Sequence, residues 1–280
     1  MDEQFFTYNS KFYKTNSPII TPSSRGLRYG DGLFETMKSV NGKIINEDFH
    51  FDRLFHGLVL LRFIVPKSFN KEFILKEIKK LLEKNNHNEV VRIRLMILRG
   101  NGGIFDPENL FPNYIIESWN LPGTNELNVN GLVIDCLPGA QKSCDAFSNL
   151  KSNNYLPYIL AGLYAKENKL NDCIVLNSFE RICDSAIANV FVVKGNKIIT
   201  PPLSEGCVAG VARRWMLEKF SLKDYKVLEK TLTIDALLDA DECFLTNSIH
   251  YLRWVKSFRE KDYINSSSEK IYHHILQTIS

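Results

Sequence analysis

The chain has 280 residues, of which 44% are hydrophobic and 24% charged, and its formal net charge is +3. This length predicts two domains of a globular protein, and the small net charge without any basic block argues against a nucleic-acid partner. No apolar run is long enough to span a bilayer, which argues against a membrane protein. The six cysteines are scattered without a Cys-x-x-Cys pair. They argue against a zinc site or a disulfide framework and predict reduced thiols in a cytoplasmic protein.

The first half of the chain mixes strand and helix patterns and predicts a small N-terminal α/β domain over residues 1–120. A glycine-rich segment at residues 24–38 runs into alternating strand residues, and Asn41-Gly42 is a hairpin signal. Asn46 is the predicted N-cap of a helix with an apolar stripe, because acidic residues follow it. Further elements are expected as a helix at residues 70–84 and strands at 90–98, where arginine alternates with apolar residues, and at 114–118.

A short segment with proline and glycine, residues 121–126, is the predicted linker to a larger C-terminal domain over residues 127–280. This domain also mixes strands and helices, so the fold class is α+β or mixed α/β. Gly195-Asn196 predicts a hairpin turn, and a helix at residues 211–220 is expected behind Gly210. Further strands are expected at residues 131–136, 190–193, 198–200 and 242–246.

A single lysine, Lys151, stands directly ahead of an apolar helical pattern. The helix is predicted from the three- and four-residue spacing of five side chains, which are expected to form its buried face: Leu156, Ile159, Leu160, Leu163 and Tyr164. A lysine at a strand-to-helix junction beside a buried face is desolvated, and a desolvated amine is a usable nucleophile and base. Schiff-base chemistry with a carbonyl cofactor needs such an amine. The alternative is an ordinary solvated surface charge.

Two further patterns suit an anion such as a phosphate. Arg53 lies one turn into the first predicted helix, where its guanidinium could clamp a phosphate through two parallel hydrogen bonds. The alternative is a surface ion pair with Asp52 or Asp48. The helix that begins at Val211-Ala212 offers free backbone N–H groups at its start, although most helix starts bind nothing.

Two polar patterns are further candidate site residues, one directly after a strand and one within an apolar run. Thr246-Asn247-Ser248 follows a strand and places hydroxyl and amide donors together, with a polar turn as the alternative. Asp184 lies in an otherwise apolar run, where a carboxylate is costly unless it is paired. A protonated pyridine nitrogen, which makes pyridoxal an electron sink, is one good partner, and capping or turn formation is the alternative.

Together these patterns resemble the class IV aminotransferases, the pyridoxal-phosphate enzymes of fold type IV. The resemblance extends from about residue 25 to residue 255, and the order and spacing of its motifs make it specific. The matching segments are Arg28-Tyr29-Gly30-Asp31-Gly32, Phe34-Glu35, His50 with Arg53-Leu54, Lys151 to Leu156, Ala188-Asn189-Val190-Phe191, Thr200-Pro201, Gly210 to Arg213, and Thr246-Asn247-Ser248.

The resemblance implies roles for several of the matching residues. Lys151 would carry the Schiff base with pyridoxal 5'-phosphate and move the proton. Tyr155 would hydrogen-bond near the phenolic oxygen of the cofactor, and Asp184 would face its pyridine nitrogen. The phosphate would be held by Arg53, the backbone of Val211 and Ala212, and Thr246 or Ser248. The family fold implies a small N-terminal α/β domain, a larger C-terminal domain, the cofactor between them, and a homodimer.

One residue departs from the family pattern, because Asp184 stands where the family usually has glutamate. Aspartate keeps the charge but is one methylene shorter, so the contact with the ring nitrogen could be longer or bridged by water. This leaves open a protein that binds pyridoxal phosphate but has little catalytic activity.

Within the family, three activities compete: branched-chain transamination, D-amino-acid transamination, and aminodeoxychorismate lyase, which makes 4-aminobenzoate and pyruvate. The loop after Arg99 lacks the Arg-x-His carboxylate trap of the D-amino-acid enzymes, and the Arg-Pro strand of the branched-chain enzymes is missing. The pattern therefore favours the lyase. The predicted substrate-binding residues are Tyr29, Lys38 and Arg99, and Arg28 is a further candidate for holding a carboxylate. A nucleotide-phosphate loop at residues 100–103 is disfavoured, since no Gly-Lys-Ser/Thr ending follows it.

Overall fold

The computed structural model describes residues 4–105, 109–121 and 126–279. The chain divides into two compact units, one of Met1–Gly123 with Lys151–Asn154 and the other of Thr124–Leu150 with Tyr155–Ser280. Most of the predicted linker, residues 122–125, lies outside the described residues, so the domain boundary at 121–126 stays a prediction. No helix in the described part of the chain is both long and apolar enough to cross a membrane.

The first unit is a six-stranded sheet with two long helices. Every strand pairing in it is antiparallel, and the strand order is β2-β1-β6-β5-β3-β4. Its elements, in chain order, are β1 (Phe5–Tyr8), β2 (Lys11–Lys14), α1 (Arg25–Tyr29), β3 (Gly32–Val40), β4 (Lys43–Ile44), α2 (Glu47–Leu60), α3 (Lys71–Lys84), β5 (Val90–Leu98) and β6 (Asn113–Asn120).

The two faces of this sheet differ because side chains alternate along each strand. One face packs its fully buried side chains, such as Met37 on β3 and Leu95 on β5, under α2 and α3. The opposite face carries Phe34, Lys38 and the arginines of β5. The helix predicted behind Asn46 is α2, and Asn46 is its N-cap residue as predicted. Asn46 adopts a left-handed conformation, and its side chain makes no cap bond.

The second unit contains a nine-stranded sheet that closes on itself. Strands β10, β13, β14, β7, β8 and β9 form a ring, because β9 also pairs with β10. Pairings of β7 with β8 and β14 are parallel, whereas β9, β10 and β13 pair antiparallel. Its elements are β7 (Leu132–Lys142), α4 (Leu156–Glu167), β8 (Asp172–Asn177), β9 (Ile182–Ser185), β10 (Asn189–Lys194), β11 (Lys197–Thr200), α5 (Val211–Glu218), β12 (Lys226–Glu229), α6 (Ile234–Leu238), β13 (Glu242–Asn247), β14 (Tyr251–Phe258), β15 (Lys261–Asp262) and α7 (Ser266–Thr278).

Helix α4 is present where the spacing predicted it, but its buried face is the opposite one. The buried side chains are Tyr158, Ala161 and Ala165, which pack on β7 and β8. The two alanines let the helix lie close to the sheet, and the Tyr158 hydroxyl donates a hydrogen bond to Asp184. The predicted inner face is largely exposed, with 46% to 72% of the surface of each leucine and isoleucine accessible; these are Leu156, Ile159, Leu160 and Leu163. The sequence-based assignment of the buried face is therefore wrong.

The C-terminal helix α7, which the sequence patterns did not predict, is held at its start by a buried carboxylate. Glu242 on β13 accepts hydrogen bonds from the backbone N–H groups of Ser267 and Ser268 at 2.6 and 2.7 Å. The Ser268 hydroxyl donates to the same carboxylate at 2.7 Å. A carboxylate at this position satisfies N–H groups that lack partners within the helix and complements the helix dipole.

Candidate active site

Lys151 is positioned in the first unit by backbone hydrogen bonds to the start of β3. The Phe34 N–H donates to the Lys151 carbonyl at 2.9 Å, and the Asn153 N–H donates to the Gly32 carbonyl at 3.1 Å. The Lys151 Nζ lies 4.5 Å from the centroid of the Phe34 ring. The segment thus extends the sheet by a short bridge and places the amine on the face that α2 and α3 do not cover.

The glycines of the predicted motif are needed for this close approach. A Cβ atom on Gly32 would collide with the Ile97 carbonyl oxygen and lie 2.6 Å from the Asn153 side chain. Gly30 has a φ of +64°, and a Cβ there would lie 2.6 Å from the Asn154 side chain. Larger residues would push the lysine segment away from β3.

Arg53, predicted to bind phosphate, is bound by a buried carboxylate. Its Nε and Nη2 donate to the two oxygens of Glu35 at 2.8 and 2.6 Å, and His50 Nδ1 lies 2.6 Å from the same carboxylate. Burial alone would raise the pKa of Glu35, but the Arg53 guanidinium and the His50 hydrogen bond outweigh it and hold that pKa at about 2. Burial also lowers the pKa of His50, so its ring is neutral and donates from Nδ1. The two-point contact fixes the orientation of the guanidinium.

A group of cations shares the face of the sheet on which Lys151 lies. Lys38 pairs with Arg92, and Thr36 pairs with Arg94, so these basic side chains lie on one face of β3 and β5. The Arg94 guanidinium lies 4.5 Å from the centroid of Phe34, the same ring that Lys151 covers. Burial lowers the pKa of Lys38. The sequence analysis did not name Arg92 and Arg94 as candidates, although the alternation of arginine with apolar residues on β5 predicts that they share one face of the sheet.

The other two predicted substrate-binding residues lie in different surroundings. Arg99 is buried, with its Nε bound to Asp31 at 3.0 Å and its remaining nitrogens bound to the carbonyls of Leu61 and Arg62. It also stacks 4.3 Å from the centroid of Phe63. These contacts tie the end of α2 to the start of β3. Tyr29 is 40% exposed at the end of α1. A substrate contact by either residue stays a prediction.

In the second unit, three polar residues lie in a row across adjacent strands. Asn189 on β10 pairs with Asp184 on β9 and with Thr246 on β13, so all three side chains share one face. Adjacent strands are about 4.8 Å apart, so the row is on the order of 10 Å long. The Asn189 Nδ2 donates to Asp184 Oδ1 at 2.7 Å. This row lies where β9 and β10 close the ring of strands.

The middle of the row, at Asn189, meets the start of helix α5. A Cβ atom on Gly210 would collide with the Asn189 side chain, so the helix begins in close contact with β10. Val211 and Ala212 are buried, and no acceptor for their backbone N–H groups is found among the described residues. The Thr246 hydroxyl is likewise buried, and no described residue hydrogen-bonds to it. Ser248 follows β13 in a turn, which Asn247 stabilises by accepting bonds from two backbone N–H groups.

One end of the row is a network around Asp184. Its Oδ2 accepts hydrogen bonds from the Tyr158 hydroxyl at 2.7 Å and the Val208 N–H at 2.9 Å, and the Lys142 ammonium lies 3.3 Å away. Tyr155, at the start of α4, packs its ring 4.4 Å from the ring of Tyr158. No cluster of three or more potential metal ligands occurs in the part of the chain that the structure describes.

Comparison with known proteins identifies the family. Residues 32–258 match the family model described as amino-transferase class IV. The aminodeoxychorismate lyase of Bacillus subtilis (strain 168) is 31% identical over 278 residues, covering 93% of this chain and 89% of the lyase. The D-alanine aminotransferase of Listeria innocua is 25% identical over 249 residues, covering 86% of this chain and 82% of that enzyme.

A solved structure shows the same fold. The branched-chain amino acid aminotransferase of Escherichia coli matches with a TM-score of 0.88 at 20% identity, covering 100% of this chain and 95% of that one. The mixed α/β architecture is that of the fold type IV aminotransferases. The family match spans most of the chain, and relatives with lyase and with transaminase names are both similar to it. The chain therefore belongs to the class IV aminotransferases, a family of enzymes.

Proposed function

We propose that this enzyme uses pyridoxal 5'-phosphate and that Lys151 is the residue to which the cofactor is attached. The residues present in the second unit suit this group. The buried Thr246 hydroxyl and the buried start of α5 at Val211 and Ala212 offer hydrogen bonds to a phosphate. Asp184, at the other end of the same row, offers a carboxylate to a ring nitrogen. When bound, the cofactor supplies an electron sink for the substrate carbon next to the nitrogen.

The remaining predicted cofactor contacts are part of the same proposal. Arg53 would contact the phosphate while Glu35 holds its guanidinium in orientation. Ser248 would add a second hydroxyl beside Thr246. The family resemblance assigns Tyr155, the N-cap residue of α4, a hydrogen bond near the phenolic oxygen.

We infer that the reaction is the lyase reaction on 4-amino-4-deoxychorismate. The observation that carries this proposal is a row of cations on the sheet face where Lys151 lies: Arg94 shares the Phe34 ring with Lys151, and Lys38 and Arg92 follow on the same face of β3 and β5. The substrate of the lyase carries two carboxylates, one on the ring and one on the enolpyruvyl group, and guanidinium groups bind carboxylates with two-point geometry. A branched-chain amino acid has one carboxylate and an apolar side chain, which suits a cationic face less well. The relative at 31% identity, an aminodeoxychorismate lyase, points the same way.

In this proposal Lys151 moves the proton. Its amine takes the proton from the ring carbon that bears the nitrogen, the bond from the ring to the enolpyruvyl oxygen breaks, and the ring becomes aromatic. The enolpyruvyl group leaves as enolpyruvate and receives this proton to become pyruvate, which leaves the Lys151 amine neutral again. The products are 4-aminobenzoate and pyruvate. The cations of β3 and β5 hold the two carboxylates while the bond breaks.

Transamination is the second candidate, because the D-alanine aminotransferase relative covers almost as much of the chain. Glutamate, a common amino donor, also has two carboxylates and would suit the same cations. The two reactions differ in what happens to the nitrogen. The lyase leaves it on the aromatic product, whereas a transaminase passes it to a keto acid.

To test this proposal, the purified enzyme is mixed with chorismate, glutamine and the upstream synthase, and the formation of 4-aminobenzoate is measured by fluorescence. In parallel, leucine and D-alanine are tested as donors to 2-oxoglutarate. Arg94→Gln should slow 4-aminobenzoate formation strongly, whereas Lys11→Gln, at an exposed position on β2, should not change it. Amino transfer without 4-aminobenzoate would refute the lyase assignment. A cofactor on Lys151 with neither product would favour a pyridoxal-phosphate-binding protein with little catalytic activity.

We also infer that two copies of the chain associate through the exposed apolar side of α4. Exposed apolar patches of this kind mark interaction surfaces, and most soluble oligomers are symmetric assemblies of identical chains.

A further inference from the structure

A groove lies on the second unit at the opposite end of β10 from the row of Asp184, Asn189 and Thr246. Three segments line it: the turn at Gly195-Asn196, the chain that joins α5 to β12, and one face of α7. Its volume is about 650 Å³, which is typical of small-molecule sites in proteins. Gly195 follows Asn189 by six residues, and extended chain spans about 3.3 Å per residue, so the groove is roughly 20 Å from Asn189.

The lining of the groove is cationic. Lys223, in the chain between α5 and β12, and Lys270, on α7, both line it, and Asp224 is the one carboxylate among its described lining residues. Neither lysine forms an ion pair or a side-chain hydrogen bond with any residue that the structure describes. Cations on a concave surface attract an anion, because the low-dielectric walls of a cleft focus the electric field.

Two further lysines lie next to the groove. Lys197 and Lys226 each follow a lining residue, and they are register partners on the parallel strands β11 and β12. The Lys226 N–H donates to the Asn196 carbonyl at 2.9 Å, which joins two of the lining segments. Like charges on neighbouring strands repel each other, and an anion held beside them would offset this repulsion.

His274 on α7 brings a ring nitrogen without a partner to the same place. It lines the groove, and its Nε2 is shielded from solvent and bonds to no described residue. The ring packs edge-to-face on Phe220 with the centroids 5.2 Å apart, so this contact holds its orientation. A buried polar atom without a hydrogen bond costs free energy, so a ligand that supplies a partner would be favoured.

The residue types distinguish between kinds of anion. Arginine, which binds planar carboxylates through two parallel hydrogen bonds, is absent from the described lining residues, whereas lysine binds a phosphate as a point charge. Leu222 and Tyr225 give the wall an apolar and aromatic part. The volume of the groove leaves room for an organic group beyond the phosphate.

We propose that this groove binds a phosphate ester that carries a planar ring, such as a nucleoside monophosphate, with Lys223 and Lys270 on the phosphate and Tyr225 beside the ring. The site is separate from the proposed cofactor contacts and does not depend on the proposed function. The ligand binds without any covalent step.

The experiment titrates adenosine 5'-monophosphate into the full-length enzyme, purified with its cofactor and freed of excess cofactor, and measures binding by isothermal titration calorimetry. We expect one nucleotide to bind per chain, and adenosine, which lacks the phosphate, to bind far more weakly. The absorbance of the cofactor, recorded in the same titration, should not change, because the nucleotide does not compete for the cofactor's phosphate contacts.

Substitutions in the groove assign the binding to the lysines. Lys223→Gln and Lys270→Gln should each weaken nucleotide binding about threefold to fivefold, and the double variant about tenfold or more. Lys256→Gln is the matched control, because it removes the same charge from an exposed position on β14 outside the groove, and it should bind like the wild type. All three lysines are exposed, so the variants should melt at the wild-type temperature.

Three results would overturn the inference: no saturable binding at millimolar nucleotide, equal binding of adenosine, or wild-type affinity in the double variant. Loss of the cofactor's absorbance band during the titration would also overturn it, since the nucleotide would then occupy the cofactor site. A purified protein without any bound cofactor would count against the proposed function alone, and the same titration of that protein would still test the groove.

Discussion

Glu35 is the residue whose replacement should most clearly disturb the first unit. Its pKa is held at about 2, against an ordinary value of 4.5, although burial opposes ionisation. For this fully buried group, the difference corresponds to about 3 kcal/mol of stability at neutral pH. Glu35→Gln keeps the shape of the side chain but removes the charge that pairs with Arg53 and that strengthens the hydrogen bond from His50. We expect a loss of about 3 kcal/mol in the free energy of unfolding.

The sign of the pH dependence follows from the lowered pKa. The carboxylate contributes its full stabilisation above pH 4.5, and this contribution is lost as the pH falls toward about 2. The stability difference between wild type and Glu35→Gln should therefore be largest at neutral pH and shrink at pH values between these limits. Urea denaturation followed by circular dichroism at several pH values measures this difference.

Glu117 provides a matched control on the same sheet. It lies on β6 opposite Arg94, and burial raises its pKa, with Arg94 and Arg92 opposing the change. A raised pKa means that the charge is unfavourable in the folded state, so Glu117→Gln should leave stability unchanged or slightly increase it at neutral pH. Equal losses in the free energy of unfolding for Glu35→Gln and Glu117→Gln would refute the reasoning. A loss for Glu35→Gln that does not become smaller as the pH falls toward 2 would also refute it.

Three further predictions concern the second unit. Thr246→Val removes a hydroxyl that no described residue bonds, so the cofactor-free protein should be as stable as the wild type, while affinity for pyridoxal phosphate in a spectroscopic titration should fall by roughly 1 kcal/mol, or about fivefold. Asp184→Asn should still bind the cofactor but lose most of its turnover, whereas Asp184→Glu should keep or raise the turnover. A wild-type rate in Asp184→Asn would show that Asp184 has only a structural role. Glu242→Gln should weaken the start of α7 and cost about 1–2 kcal/mol in urea denaturation, and no loss would contradict the capping role.

Local patterns were enough to predict most of the elements that position the site. The strand at residues 90–98 is β5 with the same limits, and the predicted helix at 70–84 is α3 with an Asn70 cap whose side chain accepts from the Phe73 N–H. Such features depend on residues close in sequence, since caps and alternation are local. The hairpin predicted at Gly195-Asn196 joins β10 to β11 for the same reason.

The network around Asp184 could not be predicted, because it depends on strand register. Asp184 and Asn189 face each other only because β9 and β10 close the ring, and Lys142 reaches Asp184 from β7, 42 residues earlier in the chain. No local pattern distinguishes Lys142 from the many surface lysines. The same holds for Arg99, whose position in the loop suggested substrate binding but whose bonds to Asp31 and the end of α2 result from packing of distant segments.

The exposed apolar stripe of helix α4 provides a test of dimer formation. The residue spacing predicts that Leu156 and Leu160 are buried, but both are exposed, and Ala161 and Ala165 are buried instead. Full burial of such a side chain contributes about 1.5–3 kcal/mol, which a second copy of the chain would supply at a two-fold contact. We expect a mass twice the 32.2 kDa of one chain in light scattering. Leu160→Asp should give a monomer, whereas Phe179→Asp, an exposed apolar residue in the turn between β8 and β9, should leave the dimer intact. A monomeric wild type, or a dimer that tolerates Leu160→Asp, would show that this stripe does not join two copies.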